Sequence, residues 1–356
     1  MLREHERKGS AMADMFTVGV TKDLSLYLGQ MLEPILQQHL DQVPDLLTRH
    51  LLDTAGPVAS AEELVDIDGL IHGSIRLSAE SLAGAWRLTV IAQWGVGYDS
   101  IDVGACTANG IALCNTPDGV RRTVSEANLL LILALTKKLM PKVMLNRAGK
   151  WREGASAGGY CLKDHVVGTV GMGNIGSALV RLLKILEPAR ILCFDPYLNS
   201  SAATEPGVEQ VNLDTLLRES DVVTINCPLT EETRHMISER ELDLMRPTAY
   251  IINTARGPII DELALIRALK ENRIAGAGLD VTEKEPIDRG NPLLQMDNVI
   301  VTPHSLAVTE EHYRDCSAGA CRVILAAARG EVPPWVVNKA VLDHPDFKAK
   351  LARFAR

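Results

Sequence analysis

Three short apolar runs in the second half of the chain each end in an ionisable residue. "AYIINTARG" delivers Arg256, "AGAGLDVTEKEP" delivers Asp280 and Glu285, and "NVIVTPH" delivers His304. Runs that are nearly continuously apolar are expected of strands covered by helices on both faces of a parallel sheet. All carboxyl ends of such a sheet lie on one edge, so a guanidinium, two carboxylates and an imidazole would converge on one crevice. Upstream, Gly171-x-Gly173-x-x-Gly176 directly follows the β-branched run "VVGTV" and precedes a helical pattern from Ile175 to Leu186. Strand, tight turn and helix in that order form a cradle for a pyrophosphate. Gly171 permits the turn, Gly173 lets the backbone approach the phosphates, and Gly176 lets helix and strand pack closely. The helix start, around Asn174 and Ile175, would face the phosphates with its N–H groups and a partial positive charge.

The next run, "RILCF", ends at Asp195, 19 residues beyond Gly176. A carboxylate there accepts hydrogen bonds from both ribose hydroxyls of an adenosine and repels a 2′-phosphate, so the spacing predicts NAD rather than NADP.

Two α/β domains must position these groups. From Phe16 to Pro117, "FTVGV", "GLIHGS", "LTVIAQWGVG" and "GIALCNTP" alternate with helical patterns, as in parallel βαβ units. A long helix is predicted over Val120 to Arg147, closed by a glycine; its apolar residues spread widely enough to be buried between domains or against a second copy of the chain. Six strands follow: "VVGTV", "RILCF", "VVTIN", "AYIIN", "AGAGLDV" and "NVIVTPH". A last helix after Thr309, with "GEVPPWVVNKAV", returns to the first domain. The expected architecture is two doubly wound parallel-sheet domains: a Rossmann nucleotide-binding domain at 118–306, inserted in a discontinuous flavodoxin-like substrate domain made of 16–117 and 307–341.

A length of 356 residues suits two domains, and 46% hydrophobic with 23% charged residues is ordinary for a globular protein. A formal net charge of −8 gives no electrostatic reason to expect nucleic acid or an anionic membrane as partner. The apolar run Leu129–Leu135 is far shorter than the ~20 residues that cross a bilayer. Seven scattered cysteines with no Cys-x-x-Cys pair predict a reducing cytoplasm and no bound metal.

The stretches "GVGYDSID", "NTPDGVRRTVSE", "GTVGMGNIG", "CPLTEETRHMI", "NTARGPIIDE", "GLDVTEKEP" and "VTPH" carry a resemblance. Over about Phe16 to Val341 the chain resembles the D-isomer-specific 2-hydroxyacid dehydrogenase family, which includes phosphoglycerate dehydrogenase and hydroxypyruvate reductases. The resemblance implies hydride transfer between a nicotinamide and C2 of a small 2-hydroxy or 2-oxo acid, and a triad of Arg256, Glu285 and His304. Arg256 would grip the substrate carboxylate with its planar fork and polarise the 2-oxo group. His304 would exchange a proton with the substrate oxygen. Glu285 would orient the imidazole and favour its protonated form.

The same resemblance implies cofactor contacts at Thr123, Cys227, Pro228, Thr233, Thr254, Ala255 and Asp280, the last receiving the nicotinamide amide. It implies substrate-carboxylate contacts from the backbone at Ser74 with Ile75 and at Val96 with Gly97, and a homodimer formed through the long helix. An NAD(H)-sensing regulator or corepressor-like role on the same fold is the other reading. Many relatives continue after the histidine with small residues, whereas Leu306 and Ala307 stand here, which would narrow the space beside His304. Arg121 and Arg122, near the start of the second domain, read either as recognising an extra anionic group or as charged surface helix residues.

Overall fold

The computed structural model describes residues 15–54, 56–152, 158–198 and 206–355. The chain divides into two compact units, one formed by residues 1–119 and 313–356 and the other by 120–312.

In the first unit, β1 (Phe16–Thr21), β2 (Leu47–Leu52), β3 (Gly69–His72), β4 (Val90–Gln93) and β5 (Ala112–Cys114) form one sheet in the order β2-β1-β3-β4-β5. Every pairing is parallel. β3 and β4 are buried along their whole lengths, which accounts for their unbroken apolar text. β2 escapes sequence reading because "LTRHLL" lies at the sheet edge with its middle exposed and carries no apolar run. Beyond Val341, where the sequence boundary was drawn, Pro345–Ala352 forms a further helix on this unit. Phe347 and Phe354 are fully buried there, the latter edge-on to Phe16 at 4.8 Å.

The second unit holds β6 (Val166–Val170), β7 (Arg190–Phe194), β8 (Val208–Gln210), β9 (Val222–Ile225), β10 (Tyr250–Asn253), β11 (Gly276–Leu279) and β12 (Val299–Val301). Their order is β12-β11-β10-β9-β6-β7-β8, again parallel throughout. β8, a short edge strand with exposed Glu209 and Gln210, is the one strand of this sheet with no sequence signal. The strand order reverses between β6 and β9, and the crevice above such a switch point is where a doubly wound sheet binds its ligand.

The long helix expected over 120–147 is two helices, Pro117–Thr136 and Leu139–Arg147. Lys138 breaks them with φ 52. The chain returning at Tyr160 donates its N–H to the carbonyl of Thr136, and the Lys137 ammonium reaches the carbonyl of Tyr160 at 2.9 Å. That crossing removes the carbonyl through which the helix would have continued. Among the described residues no helix is long and apolar enough to cross a membrane.

Candidate active site

β10, β11 and β12 are neighbours, and the turns at their carboxyl ends carry Arg256, Glu285 and His304. The first turn is fixed from below by Asn253, a buried residue. Its side-chain amide donates to the carbonyl of Arg256 at 2.9 Å and its Oδ1 accepts the N–H of Ala255 at 3.0 Å. Gly257 lets this turn press against the next one: an added Cβ would lie 1.9 Å from the carbonyl oxygen of Thr282. The guanidinium of Arg256 donates through Nη1 to the carbonyl of Ala255 at 2.7 Å.

His304 sits in the left-handed region, φ 52, held there because its N–H donates to the carbonyl oxygens of Asp280 (2.8 Å) and Thr302 (3.0 Å). Its Nδ1 lies 2.8 Å from Oε2 of Glu285, and Oε1 of Glu285 accepts the N–H of Thr282 at 3.1 Å. Burial pushes the Glu285 carboxyl up. The hydrogen bond and charge of His304, the Thr282 N–H and the charge of Arg256 outweigh it, leaving the pKa below the ordinary carboxylate value. The side chains of His304 and Glu285 remain 46% and 39% exposed, so the pair is open to a ligand. With Nδ1 turned to the carboxylate, Nε2 is the ring atom without a partner among the described residues.

Asp280 is buried, and both its oxygens are taken by the loop that carries His304. Oδ1 accepts from Thr302 Oγ1 (2.7 Å), Ser305 N (3.0 Å) and Leu306 N (3.2 Å), and Oδ2 also accepts from Leu306 N (3.2 Å). It thus anchors the loop under the imidazole. Leu306 packs against the buried cluster that includes Leu131, Met172 and Ile252. Leu306 itself is half-buried.

The glycine loop fits a dinucleotide. A Cβ on Gly171 (φ 92) would strike the backbone of Asn226 and Cys227 at 2.8 Å, and one on Gly176 would strike the carbonyl oxygen of Gly171 at 2.3 Å. Around Gly173 there is nothing within 4 Å of the added atom, so open space lies where a pyrophosphate would approach. The following helix, Asn174–Lys184, has no side-chain cap at its start. Its positive end and N–H groups, with Ile175 in the first turn, suit an anion. Asp195 stands beside the loop, Oδ2 accepting the Met172 N–H at 2.9 Å and Oδ1 the Tyr197 N–H at 3.0 Å.

Of the remaining positions, Cys227 and Pro228 follow β9 and Thr254 and Ala255 follow β10, all on the same edge as the triad. Burial pushes the Cys227 thiol up to about 11. Thr233 donates its hydroxyl to the carbonyl of Pro228 at 2.7 Å and so ties that loop. Thr123 is buried, donating to the carbonyl of Val120 at 3.3 Å and 3.4 Å from Nδ1 of His312. Sequence reading missed the polar net beneath these loops. Fully buried Asn128 donates to Thr254 Oγ1 (2.5 Å) and Asn226 Oδ1 (3.3 Å) and accepts from Thr224 Oγ1 (2.6 Å). The one signal for it was an asparagine opening the apolar run "NLLLILAL".

In the first unit the two loops expected to hold a carboxylate differ. The N–H groups of Val96 and Gly97 have no acceptor among the described residues. Those of Ser74 and Ile75 already donate to Asp23 Oδ2, at 2.5 and 3.1 Å. The donors of that loop are engaged within the protein. Arg122 is 84% exposed and pairs with Glu126 one helical turn away at 2.7 Å, and Arg121 is also exposed, in keeping with surface helix residues.

A doubly wound parallel sheet, a glycine cradle at its switch point and an acidic residue closing the second strand together make a nucleotide-dependent dehydrogenase of the NAD-binding class. Residues 129–305 match the family model described as D-isomer specific 2-hydroxyacid dehydrogenase, NAD binding domain. The chain is 39% identical over 285 residues to a glyoxylate reductase of Korarchaeum cryptofilum, covering 79% of this chain and 86% of that one. It is 41% identical over 281 residues to a glyoxylate reductase of Thermofilum pendens, covering 78% and 83%. The fold matches a crystal structure of D-lactate dehydrogenase from Aquifex aeolicus complexed with NAD and lactic acid, with TM-score 0.78, 28% identity, and 88% and 96% coverage. The chain belongs to the D-isomer-specific 2-hydroxyacid dehydrogenase family and is an NAD-dependent enzyme acting on CH–OH donors.

Proposed function

We propose that the chain interconverts a small D-2-hydroxy acid and its 2-oxo acid, with glyoxylate the first substrate to assay. The observation that carries this reading is the pairing of His304 Nδ1 with Glu285 Oε2 at 2.8 Å, beside the turn that delivers Arg256. The names of the relatives near 40% identity support the choice of glyoxylate.

His304 exchanges a proton with the substrate oxygen at Nε2, because Nδ1 is committed to the carboxylate. Glu285 fixes the ring and compensates positive charge on it. Arg256 pairs with the substrate carboxylate through two parallel hydrogen bonds and polarises the 2-oxo group. In the first unit, the Val96 and Gly97 N–H groups are open donors for a carboxylate. Asp195 receives the adenosine ribose hydroxyls, while the N–H groups at Asn174 and Ile175 face the pyrophosphate. Thr123, Cys227, Pro228, Thr233, Thr254 and Ala255 would contact the dinucleotide. When bound, NAD(H) supplies the two-electron exchange with substrate C2. Residues 118–306 serve as the cofactor domain and residues 16–117 with 307–341 as the substrate domain.

We also infer a homodimer working in the cytoplasm. Leu130, Leu139, Met140 and Met144, on two consecutive helices, are 40–55% exposed and give an apolar surface for a second copy. All seven cysteines are free thiols, which suits a reducing compartment.

The test is loss of NADH absorbance with glyoxylate, pyruvate and hydroxypyruvate. Turnover of at least one is expected; a protein that binds NADH and turns over none overturns the reading.

A further inference from the structure

In the first unit, the loop after β3 is satisfied entirely from within. Gly73 N donates to Thr21 Oγ1 at 3.0 Å, and Gln93 Nε2 donates to the carbonyl of Gly73 at 3.0 Å. Ser74 N (2.5 Å), Ser74 Oγ (2.8 Å) and Ile75 N (3.1 Å) all donate to one oxygen, Asp23 Oδ2. Three convergent donors on one carboxylate oxygen are what an anion-binding loop offers a bound acid. The chain supplies that acid itself. The fit is close, since a Cβ on Gly73 would lie 2.6 Å from the same oxygen.

The neighbouring loop is open. β3 and β4 run side by side, and Trp94 N donates to the carbonyl of His72 at 2.9 Å, so the 73–75 loop and the Val96 and Gly97 N–H groups leave the sheet together. The loop that Asp23 occupies and the loop of Val96 and Gly97 thus follow adjacent strands, which puts the Asp23 charge on the same sheet edge as the open donors. Lys22 does not offset that charge, its ammonium pairing with Asp53 at 2.5 Å. His72 lies beneath the loop between Gln93 Oε1 (2.5 Å) and the carbonyl of Ile75 (2.7 Å), and burial pushes its pKa down.

We propose that Asp23 is a specificity-determining residue: by occupying the 73–75 amides with its own carboxylate it leaves one anion seat, at Val96 and Gly97, and so restricts the enzyme to 2-oxo acids with a single negative charge. Acids with a second carboxylate or a phosphate find the adjacent donors spent and a like charge in place. This rests on the 2-oxo acid reading above.

The test compares kcat/KM for glyoxylate and pyruvate with that for oxaloacetate and 3-phosphohydroxypyruvate, in the full-length enzyme with NADH. Wild type is expected to prefer the monoanions by roughly 100-fold or more. Asp23→Asn keeps an acceptor for the loop and removes the charge; it is expected to narrow the preference by roughly tenfold, through KM for the dianions. Asp23→Ala, which frees the donors, is expected to narrow it further. Equal use of both classes by wild type, an unchanged ratio in the variants, or a parallel loss of both activities overturns the proposal and leaves the 2-oxo acid reading standing. Wild type that binds NADH and turns over neither class overturns that reading, and this inference with it.

Discussion

The backbone of Gly257 passes so close to the carbonyl of Thr282 that a single added carbon would fall 1.9 Å from its oxygen. That contact joins the turn carrying Arg256 to the turn whose Thr282 N–H holds Glu285. Gly257→Ala must push the two turns apart. Overpacking of this kind costs about 1–3 kcal/mol, and a misplacement of ~1 Å can cost about 100-fold in rate. A lower melting temperature and a kcat/KM reduced by roughly 100-fold are expected; a variant with wild-type kinetics would show that the turns move independently.

Removing the imidazole should cost rate and spare the cofactor. His304→Asn is expected to lower kcat by about 10²–10⁴-fold, the usual worth of a positioned proton donor. The Kd for NADH, measured by fluorescence titration, should stay within about threefold. A loss of NADH affinity equal to the loss of rate would assign His304 to binding instead.

The Glu285 carboxyl titrates below the ordinary value of 4.5 in the folded protein. A depressed carboxylate pKa contributes stability that is fully present above the unfolded value and is lost as pH falls through the folded one. The difference in melting temperature between wild type and Glu285→Gln should therefore hold steady from pH 7 to about 5.5 and shrink below about 4.5. With the pair more than a third exposed, the effect will be small. A difference that grows on acidification would reverse the assignment.

On the proposed reading, Asp195 sets the choice of cofactor. Asp195→Asn retains an acceptor for the Met172 N–H and removes the charge that opposes a 2′-phosphate. The NADH over NADPH preference in kcat/KM is expected to fall by roughly tenfold or more. An unaltered preference would leave Asp195 with only its hydrogen bonds to the glycine loop and Tyr197.

Asp280 is expected to act on His304 through the loop between them. Asp280→Ala strands the N–H groups of Ser305 and Leu306, at about 1–3 kcal/mol for each buried group left unpaired. Melting temperature and kcat should fall together, whereas Asp280→Asn, with one oxygen left as acceptor, should retain part of both. Full stability in the alanine variant would remove the anchoring role.

Composition and order alone made the sheet edges legible. β3, β4 and β9 to β11 are buried along their whole lengths, and β6 and β7 nearly so, so their sequences had to be unbroken apolar runs. The glycine spacing and Asp195 announced the cradle because the turn, the phosphate approach and the ribose contact each demand one residue type at one distance along the chain. Edge strands β2 and β8 were invisible, since a half-exposed strand needs no apolar pattern. The helix break at Lys138 was equally hidden, because it is imposed by a segment more than twenty residues further on.

Local order along the chain named Arg256, Glu285 and His304, but it could not show what occupies their neighbours. Hydrogen bonding among residues distant in sequence decided that Asp280 spends its oxygens on the His304 loop. The same long-range pairing gave the Ser74 and Ile75 donors to Asp23, some fifty residues earlier, while those of Val96 and Gly97 stayed open. A donor's type is written in the sequence; whether it is free to meet a ligand depends on which acceptor the folded chain brings to it first.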